Sequence, residues 1–308
     1  MMKEYEFSVC ITAYKSDAYI TRTLDNVASQ TYKNFEIVLV DDGSPTDPTP
    51  IIEKYIADHP ELKIIYKRQE NEGPSGSRRT AMQLATGEYI CYLDADDAWA
   101  KNKLERVNKA INEHDAIFYY HDEREVWEDF PDRQSVIHYR TMPEDALTDL
   151  ILNGNNLSMS ASAIRRDFIT QVDPFYDKKR SGEDYECWIR LAKAGCTFYH
   201  IEEVLGDYHR MPDSLTRKDT VYLRETNDQI VNFYDYLDDK KFPPEEKERM
   251  KRERRAFNEY LVGRYYHELK DYKEAAACYK RSYDMGNHSV KRLIASVLCT
   301  LHIKLSYK

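Results

Sequence analysis

The amino-acid sequence predicts an α/β protein in which helices flank a mostly parallel central sheet, followed by an all-α C-terminal region. Strand and helix patterns alternate strictly, with short links, over residues 7–120, which is typical of a parallel sheet. Polar loops follow apolar strands at 12–14, 41–42 and 94–96. After about residue 220 only helical periodicity continues. These observations predict a first domain at 1–220 and a helical region at 221–308.

Each element of the α/β part follows from a local pattern. Short, continuous apolar runs predict strands at 7–12, 35–40, 62–66, 89–93 and 116–120. Apolar residues at helical spacing predict the intervening helices at 18–30, 50–57, 73–85 and 101–112. Pro48 stands near the start of the second helix, and Gly87 follows the end of the third.

Beyond residue 120 the patterns are less regular. Residues 123–143 mix charged and aromatic side chains, which indicates a segment, here called the 123–143 excursion, that is irregular or leaves the parallel sheet as antiparallel strands. A strand is predicted at 157–164, a helix at 181–194, and short strands at 197–201 and 204–209. The predicted C-terminal helices span 221–237, 245–269, 273–285 and 289–304.

Composition excludes several classes of protein. The net charge of −9 over 308 residues argues against a nucleic-acid partner, which requires a basic face. The six cysteines form no Cys-x-x-Cys pair, as expected for reduced thiols in a cytosolic protein. The first residues lack the apolar stretch of a signal peptide, and no window is long and apolar enough for a transmembrane helix. We therefore expect a cytoplasmic protein.

The most informative stretch is 89–97, Tyr-Ile-Cys-Tyr-Leu-Asp-Ala-Asp-Asp. Asp94 and Asp96 are two residues apart at a strand end, so on an extended chain they point the same way. Two hard oxygen donors at this spacing suit Mg²⁺ or Mn²⁺ near a diphosphate. The alternative interpretation is an ordinary strand end followed by a solvated acidic turn. Asp97 is expected to cap the helix that follows.

Other polar segments are expected to converge on the same place. Loops that follow parallel strands share one edge of the sheet, so residues 12–14 and 41–42 should lie near Asp94. Glu183 and Asp184 occupy the first turn of a predicted helix, where they either complement the helix dipole or present a base to a pocket. No Gly-x-Gly-x-x-Gly follows the first strand and no P-loop occurs, which argues against dinucleotide or P-loop sites.

Several motifs, taken together in order, resemble those of the family-2 glycosyltransferases. They lie at 7–14, 29–32, 35–44, 87–90 and 93–97, and the resemblance extends over about residues 5–217. It implies the GT-A fold, with a Rossmann-like central sheet, and inverting transfer from a nucleotide sugar. It also implies a divalent cofactor, Mn²⁺ or Mg²⁺.

The resemblance assigns roles to residues that match the family's motifs. Thr12, Ala13 and Tyr14 would line the nucleotide, and Asp42 would accept a hydrogen bond from its base. Asp96 would bind the metal directly, whereas Asp94 would bind near the ribose and the metal waters, with Ala95 between them in the nucleotide-sugar site.

Three further assignments concern charged residues. Arg78 would contact the nucleotide, but Arg79 replaces the family's usual Asn, so which arginine points inward stays open. Asp184 matches the catalytic base. Either His209 or Arg210 would lie near the diphosphate, because the alignment slides by one position there.

The C-terminal region resembles one tetratricopeptide repeat at about 258–286, with small residues Gly263 and Ala275 where two helices approach. This pair is interpreted either as packing on the catalytic domain or another subunit, or as a docking module for a partner protein. The amphipathic helix at 289–304 is interpreted either as lying on an anionic membrane, at its inner face, or as a final packing helix.

The sequence therefore predicts a metal-dependent inverting glycosyltransferase. Its expected donor is a nucleotide sugar, with UDP as the nucleotide, and its expected acceptor is a hydroxyl of a surface polysaccharide or of a lipid-linked precursor. Two alternatives are a nucleotidyltransferase, which also uses acidic strand ends, and a non-catalytic sugar-nucleotide-binding or scaffold protein.

Overall fold

The computed structural model describes residues 6–130, 132–175, 182–211 and 229–303. The chain divides into two compact units, Met1–Pro212 and Asp213–Lys308. The boundary predicted near residue 220 lies outside the described residues.

The first unit is an α/β sheet with helices. Its strands are β1 Phe7–Ala13, β2 Phe35–Asp41, β3 Ile64–Arg68, β4 Tyr89–Asp94, β5 Ala98–Trp99, β6 Phe118–Trp127, β7 Gln134–Ile137, β8 Ser162–Arg165 and β9 Phe198–Arg210. Its helices are α1 Ile20–Ala28, α2 Thr49–Asp58, α3 Gly73–Leu84, α4 Lys103–Glu113, α5 Ala146–Asn153, α6 Arg166–Val172 and α7 Glu183–Lys193.

The described strands form one sheet in the order β3-β2-β1-β4-β8-β6-β9-β5, with β7 paired to β6. The first four of these strands are parallel, as their continuous apolar runs predict. Beyond β4 the sheet is mixed, because β8 runs antiparallel to both β4 and β6. The α/β class is confirmed, and its sheet is mixed where the sequence predicted a mostly parallel one.

Several boundaries in the second half differ from the predictions. The strand predicted at 116–120 continues to Trp127 and pairs with β7, so the 123–143 excursion includes an antiparallel hairpin. The two short strands predicted at 197–201 and 204–209 form one strand, β9, whose pairing with β6 shifts register between His121 and Glu123. Helices α5 and α6 were not predicted, and β8 begins later than expected.

A buried carboxylate holds the start of β4 against β1. Glu36 accepts hydrogen bonds from Ser8 Oγ at 2.6 Å, from Thr86 N at 2.6 Å and from Thr86 Oγ1 at 2.9 Å. Gly87 is required beside this network, because a Cβ there would lie 2.6 Å from the backbone of Phe7 and Ser8. These hydrogen bonds and the close contact at Gly87 align β1 and β4, so that Thr12 stands opposite Asp94.

The described part of the second unit is helical. A 3₁₀ turn at Tyr234–Tyr236 precedes α8 Pro244–Glu268, α9 Tyr272–Asp284 and α10 Val290–Thr300. Residues 221–228 of the helix predicted at 221–237, and residue 304 of the helix predicted at 289–304, lie outside the described residues.

Helices α8 and α9 pack closely at a glycine. A Cβ on Gly263 would lie 2.8 Å from the Tyr279 ring, so only glycine leaves room for this buried aromatic side chain. The predicted resemblance to a tetratricopeptide repeat remains a prediction. Among the described helices, none has the length and apolar character to cross a bilayer.

Candidate functional site

The ends of β1, β2 and β4 meet at one edge of the sheet. Thr12 stands opposite Val40 on β2 and opposite Asp94 on β4. Asp42 N donates a hydrogen bond to Ala13 O at 2.8 Å, which joins the loops after β1 and β2. Tyr14 follows with its side chain exposed. The structure thus brings together the three loops that parallel topology predicted to converge.

The two aspartates after β2 have different surroundings. Asp41 accepts hydrogen bonds from Ser44 Oγ at 2.5 Å and from Arg68 Nε at 3.0 Å, so it braces the turn. Asp42 is also buried, and its Oδ1 accepts from Gln69 Nε2 at 2.8 Å and from the Glu72 backbone N at 2.9 Å. Its other oxygen, Oδ2, takes no part in either bond.

Residues 94–97 form a tight turn that is held from three sides. Asp97 N donates to Asp94 O at 3.0 Å, which closes the turn. Thr23 Oγ1 donates to Ala95 O at 2.6 Å, and Asp94 N donates to Ser160 Oγ at 3.1 Å. Burial, followed by repulsion from neighbouring Asp94, raises the pKa of Asp96 to about 6. The pair therefore concentrates negative charge at the end of β4.

Asp97 does not cap the following helix, contrary to the prediction. The N-cap of α4 is Asn102, and the Asp97 side chain is buried. It accepts hydrogen bonds from Ser160 Oγ at 2.5 Å and from His209 N at 2.9 Å. Burial raises the pKa of Asp97 well above its ordinary value. Asp97 therefore ties the acidic turn to the end of β9.

The two adjacent arginines of α3 point to different partners. The buried Arg78 guanidinium donates to Asp94 Oδ1 at 2.8 Å through one nitrogen and to Glu183 Oε1 through another. Arg79 instead forms a paired ion contact with Asp173, at 3.0 Å and 2.5 Å, nearer the surface. Arg78 is thus the arginine that points to the acidic turn, and it joins β4 to the start of α7.

Asp184 lies in the first turn of α7, next to Glu183, which binds Arg78. Gly182, at φ 65°, forms the left-handed N-cap of the helix. Asp184 Oδ1 accepts from Tyr185 N at 2.7 Å, and Oδ2 accepts from Asn155 Nδ2 at 3.0 Å. Burial, followed by the nearby Glu183 charge, raises the pKa of Asp184 to about 6.

Sequence reasoning missed Asn155. It stands in a Gly-Asn-Asn segment after α5, which predicts a turn but gives no sign of a contact with Asp184. Only the packing of α5 against α7, which includes a hydrogen bond from Tyr185 Oη to Leu150 O, brings the segment to Asp184.

His209 and Arg210 have different partners in the structure. The His209 backbone N donates a hydrogen bond to Asp97 Oδ1 at 2.9 Å. The ring Nδ1 lies 2.6 Å from Glu128 Oε1. Arg210 Nε donates to Glu125 Oε1 at 2.8 Å, and its guanidinium lies over the Tyr208 ring. His209 is therefore bound directly to the acidic turn, whereas Arg210 pairs with β6.

This fold is that of a GT-A glycosyltransferase, and at one edge of its sheet a buried arginine joins an acidic turn to the start of the helix that carries Asp184. The profile described as glycosyl transferase family 2 matches residues 8–170, more than half of the 308-residue chain, and the chain belongs to that family. The predicted family, enzyme class and fold are confirmed. Family membership favours neither a nucleotidyltransferase nor a non-catalytic scaffold.

Two relatives illustrate the sequence similarity. The amylovoran biosynthesis glycosyltransferase AmsB of Erwinia amylovora is 28% identical over 215 residues, covering 68% of this chain and 71% of that protein. WfaP of Escherichia coli, named a UDP-Glc:α-D-GlcNAc-diphosphoundecaprenol β-1,3-glucosyltransferase, is 30% identical over 189 residues, covering 61% of this chain and 70% of that one.

Two solved structures share the fold. S. aureus TarS 1–349 in complex with UDP-GlcNAc gives a TM-score of 0.58 at 17% identity, covering 98% of this chain and 94% of that one. The mannosyltransferase PcManGT from Pyrobaculum calidifontis, in complex with GDP-Man and Mn²⁺, gives 0.57 at 18% identity, covering 96% and 79%.

We expect Arg78→Gln to destabilise the protein much more than Arg79→Gln. Removing Arg78 leaves two carboxylates without their shared buried partner, which typically costs about 3–5 kcal/mol. The more exposed Arg79–Asp173 pair is worth about 0–1 kcal/mol. Urea unfolding of both variants measures the difference, and equal losses would contradict a central role for Arg78.

Proposed function

We propose that this glycosyltransferase transfers a sugar from a UDP-sugar to a hydroxyl of a glycan or lipid-linked glycan, with inversion and with a divalent metal ion. The observation that carries the proposal is the Arg78 bridge, which joins Asp94 on β4 to Glu183 beside Asp184. In this proposal the bridge would hold Asp94, and with it Asp96, on the donor side of the site, while Asp184 beside Glu183 would act as the base.

The donor nucleotide would lie along the edge formed by β1, β2 and β4. Asp42 Oδ2, which takes no part in the hydrogen bonds to Oδ1, would accept from the base. Thr12 and Tyr14 stand on either side of Ala13, whose O accepts from Asp42 N. UDP is the proposed nucleotide because WfaP is named for UDP-Glc and the TarS structure holds UDP-GlcNAc. Arg78 would act by holding Asp94, and His209 would face the diphosphate beside Asp96.

The residues at the acidic turn fit Mn²⁺ or Mg²⁺. Asp94 and Asp96 supply hard oxygen donors. Burial, followed by repulsion from Asp94, raises the pKa of Asp96, and a bound cation would relieve that repulsion. Mg²⁺ is usually bound by one or two carboxylates together with substrate phosphates, which matches this pair. Asp96 would bind the ion directly and Asp94 through water. The ion, when bound, would neutralise charge on the leaving diphosphate.

Asp184 would act as the general base. Its raised pKa gives it affinity for the proton of an acceptor hydroxyl. As the acceptor oxygen bonds to the anomeric carbon, that carbon's bond to the diphosphate oxygen breaks and the proton passes to Asp184. Attack from the face opposite the diphosphate inverts the configuration. Asn155 would orient the carboxylate through its hydrogen bond to Oδ2.

The acceptor is proposed from the relatives. AmsB is named for amylovoran biosynthesis and WfaP for a diphosphoundecaprenol-linked sugar. A hydroxyl on a growing surface polysaccharide, or on its lipid-linked precursor, is therefore the proposed nucleophile.

Asp184→Asn is expected to reduce transfer by about 10²–10⁴-fold, because the amide cannot accept the proton. Donor binding should stay nearly intact, since Asp94, Asp96 and Arg78 are unchanged. Release of UDP measures transfer, and calorimetry with UDP measures binding. Asp167→Asn, the same exchange at an exposed position, is the control. Loss of binding equal to the loss of transfer would contradict the base assignment.

The transfer rate is expected to rise with pH through about 6 and then level off, because only the Asp184 carboxylate can accept a proton. Asn155→Ala should move this acid limb to higher pH, since its amide donates to the charged carboxylate. Saturating Mn²⁺ keeps metal loading constant across the pH range.

The matched control is Asn153→Ala, two residues away, whose amide binds Asp149 and not Asp184. It should leave the acid limb in place. If the Asn155→Ala profile overlaid the wild-type profile, the positioning role of Asn155 would be wrong.

A chelator such as EDTA is expected to remove activity, and added Mn²⁺ or Mg²⁺ to restore it. Asp96→Asn should raise the metal concentration needed for half-maximal activity and weaken Mn²⁺ binding measured by electron paramagnetic resonance. Full activity in chelator, with Asp96→Asn behaving like the Asp167→Asn control, would refute the metal proposal.

A further inference from the structure

Helix α10 carries an apolar stripe that faces away from its own unit. The stripe comprises Val290, Leu293, Ile294, Val297 and Leu301, whose side chains are 50–69% exposed. Their spacing places them on one face of the helix. The opposite face, with Ala295 and Cys299, is buried in the small core that α10 shares with α8 and α9.

A surface helix ordinarily presents polar residues to solvent and apolar residues to its core. Helix α10 presents apolar residues on both sides, so its packing in the unit leaves the stripe without a partner among the described residues. Contiguous exposed apolar surface of this kind marks an interaction site. The exposed side chain of Ile303 lies just beyond the helix.

The charge around the stripe indicates its partner. No Asp or Glu occurs from Met285 to Ile303, although the whole chain carries a net charge of −9. The cations in this segment are Lys291, which is exposed, and Arg292, whose guanidinium lies over the Tyr283 ring. The sequence continues with Lys304 and Lys308. A negatively charged surface would meet attraction here, and the segment has no carboxylate to repel it.

The composition of the stripe favours lipid over protein. Protein interfaces concentrate their binding energy in aromatic and arginine anchors. The stripe contains aliphatic side chains alone, and acyl chains accept these without shape matching. Aliphatic residues on one face, together with nearby lysine, are the features of helices that lie in the membrane interface.

We propose that α10 lies on an anionic lipid surface, with the stripe among the acyl chains and Lys291 at the headgroups. This proposal stands apart from the proposed reaction, because it rests on the exposure and charge of α10 and on no residue of the candidate site.

Flotation of the full chain with lipid vesicles tests the proposal. The wild type should float with phosphatidylcholine vesicles that contain phosphatidylglycerol, and less with phosphatidylcholine alone. High salt should weaken flotation, because screening removes the headgroup attraction. The double variant Leu293→Glu/Val297→Glu should reduce the bound fraction by roughly tenfold or more, since it places two charges in the stripe.

The matched control is Ile51→Glu/Val136→Glu. Both of its positions are 46% exposed and lie outside α10, so the change in charge is the same. The control should float like the wild type. Circular dichroism and thermal melting of both double variants should match the wild type, because all four positions are exposed.

Three results would overturn the proposal. The first is a wild type that does not float with the anionic vesicles. The second is an equal loss of flotation in both double variants, and the third is a stripe variant that floats like the wild type. Light scattering without vesicles identifies the competing occupant. A wild-type dimer that becomes a monomer in the stripe variant, without flotation of either, would assign the stripe to a second copy of the chain.

Discussion

The buried Arg78 guanidinium is the interaction on which the candidate site depends. It binds Asp94 at the end of β4 and Glu183 at the start of α7, two segments that are far apart in the sequence. Burying one charge is costly unless partners compensate it, and here two carboxylates do so with direct hydrogen bonds. The same bonds set the distance between the acidic turn and Asp184, so one contact supports both the fold and the arrangement of the site.

Two aspartates of the candidate site, Asp96 and Asp184, work against the stability of the fold. Burial raises the pKa of Asp96 and of Asp184 to about 6, above the ordinary value for aspartate. The folded state therefore binds more protons than the unfolded state in this range, and stability falls as pH rises toward 6. Carboxyl groups with raised pKa values concentrate at functional sites, where the charge of a ligand can compensate their own.

Local patterns in the sequence determined the parallel half of the sheet and the position of its polar edge. Strands β1, β2 and β4 are continuous apolar runs, so their existence and their polar ends follow from the order of residues alone. The spacing of Asp94 and Asp96 and the start of α7 are likewise local. The family motifs are local too, which explains why the class of enzyme was predictable.

Only the tertiary structure decided the contacts between distant segments. Arg78 and Arg79 are neighbours in the sequence, and their partners Asp94 and Asp173 distinguish them only once α3 is packed. The position of Asp97 in the sequence predicted a helix cap, but in the folded chain β9 brings the His209 backbone to its side chain. The antiparallel direction of β8 likewise appears only in its pairing with β4 and β6. The physical reason is that periodicity reports which face of an element is apolar, whereas a buried charge is placed by whichever partner the folded chain brings within hydrogen-bonding distance.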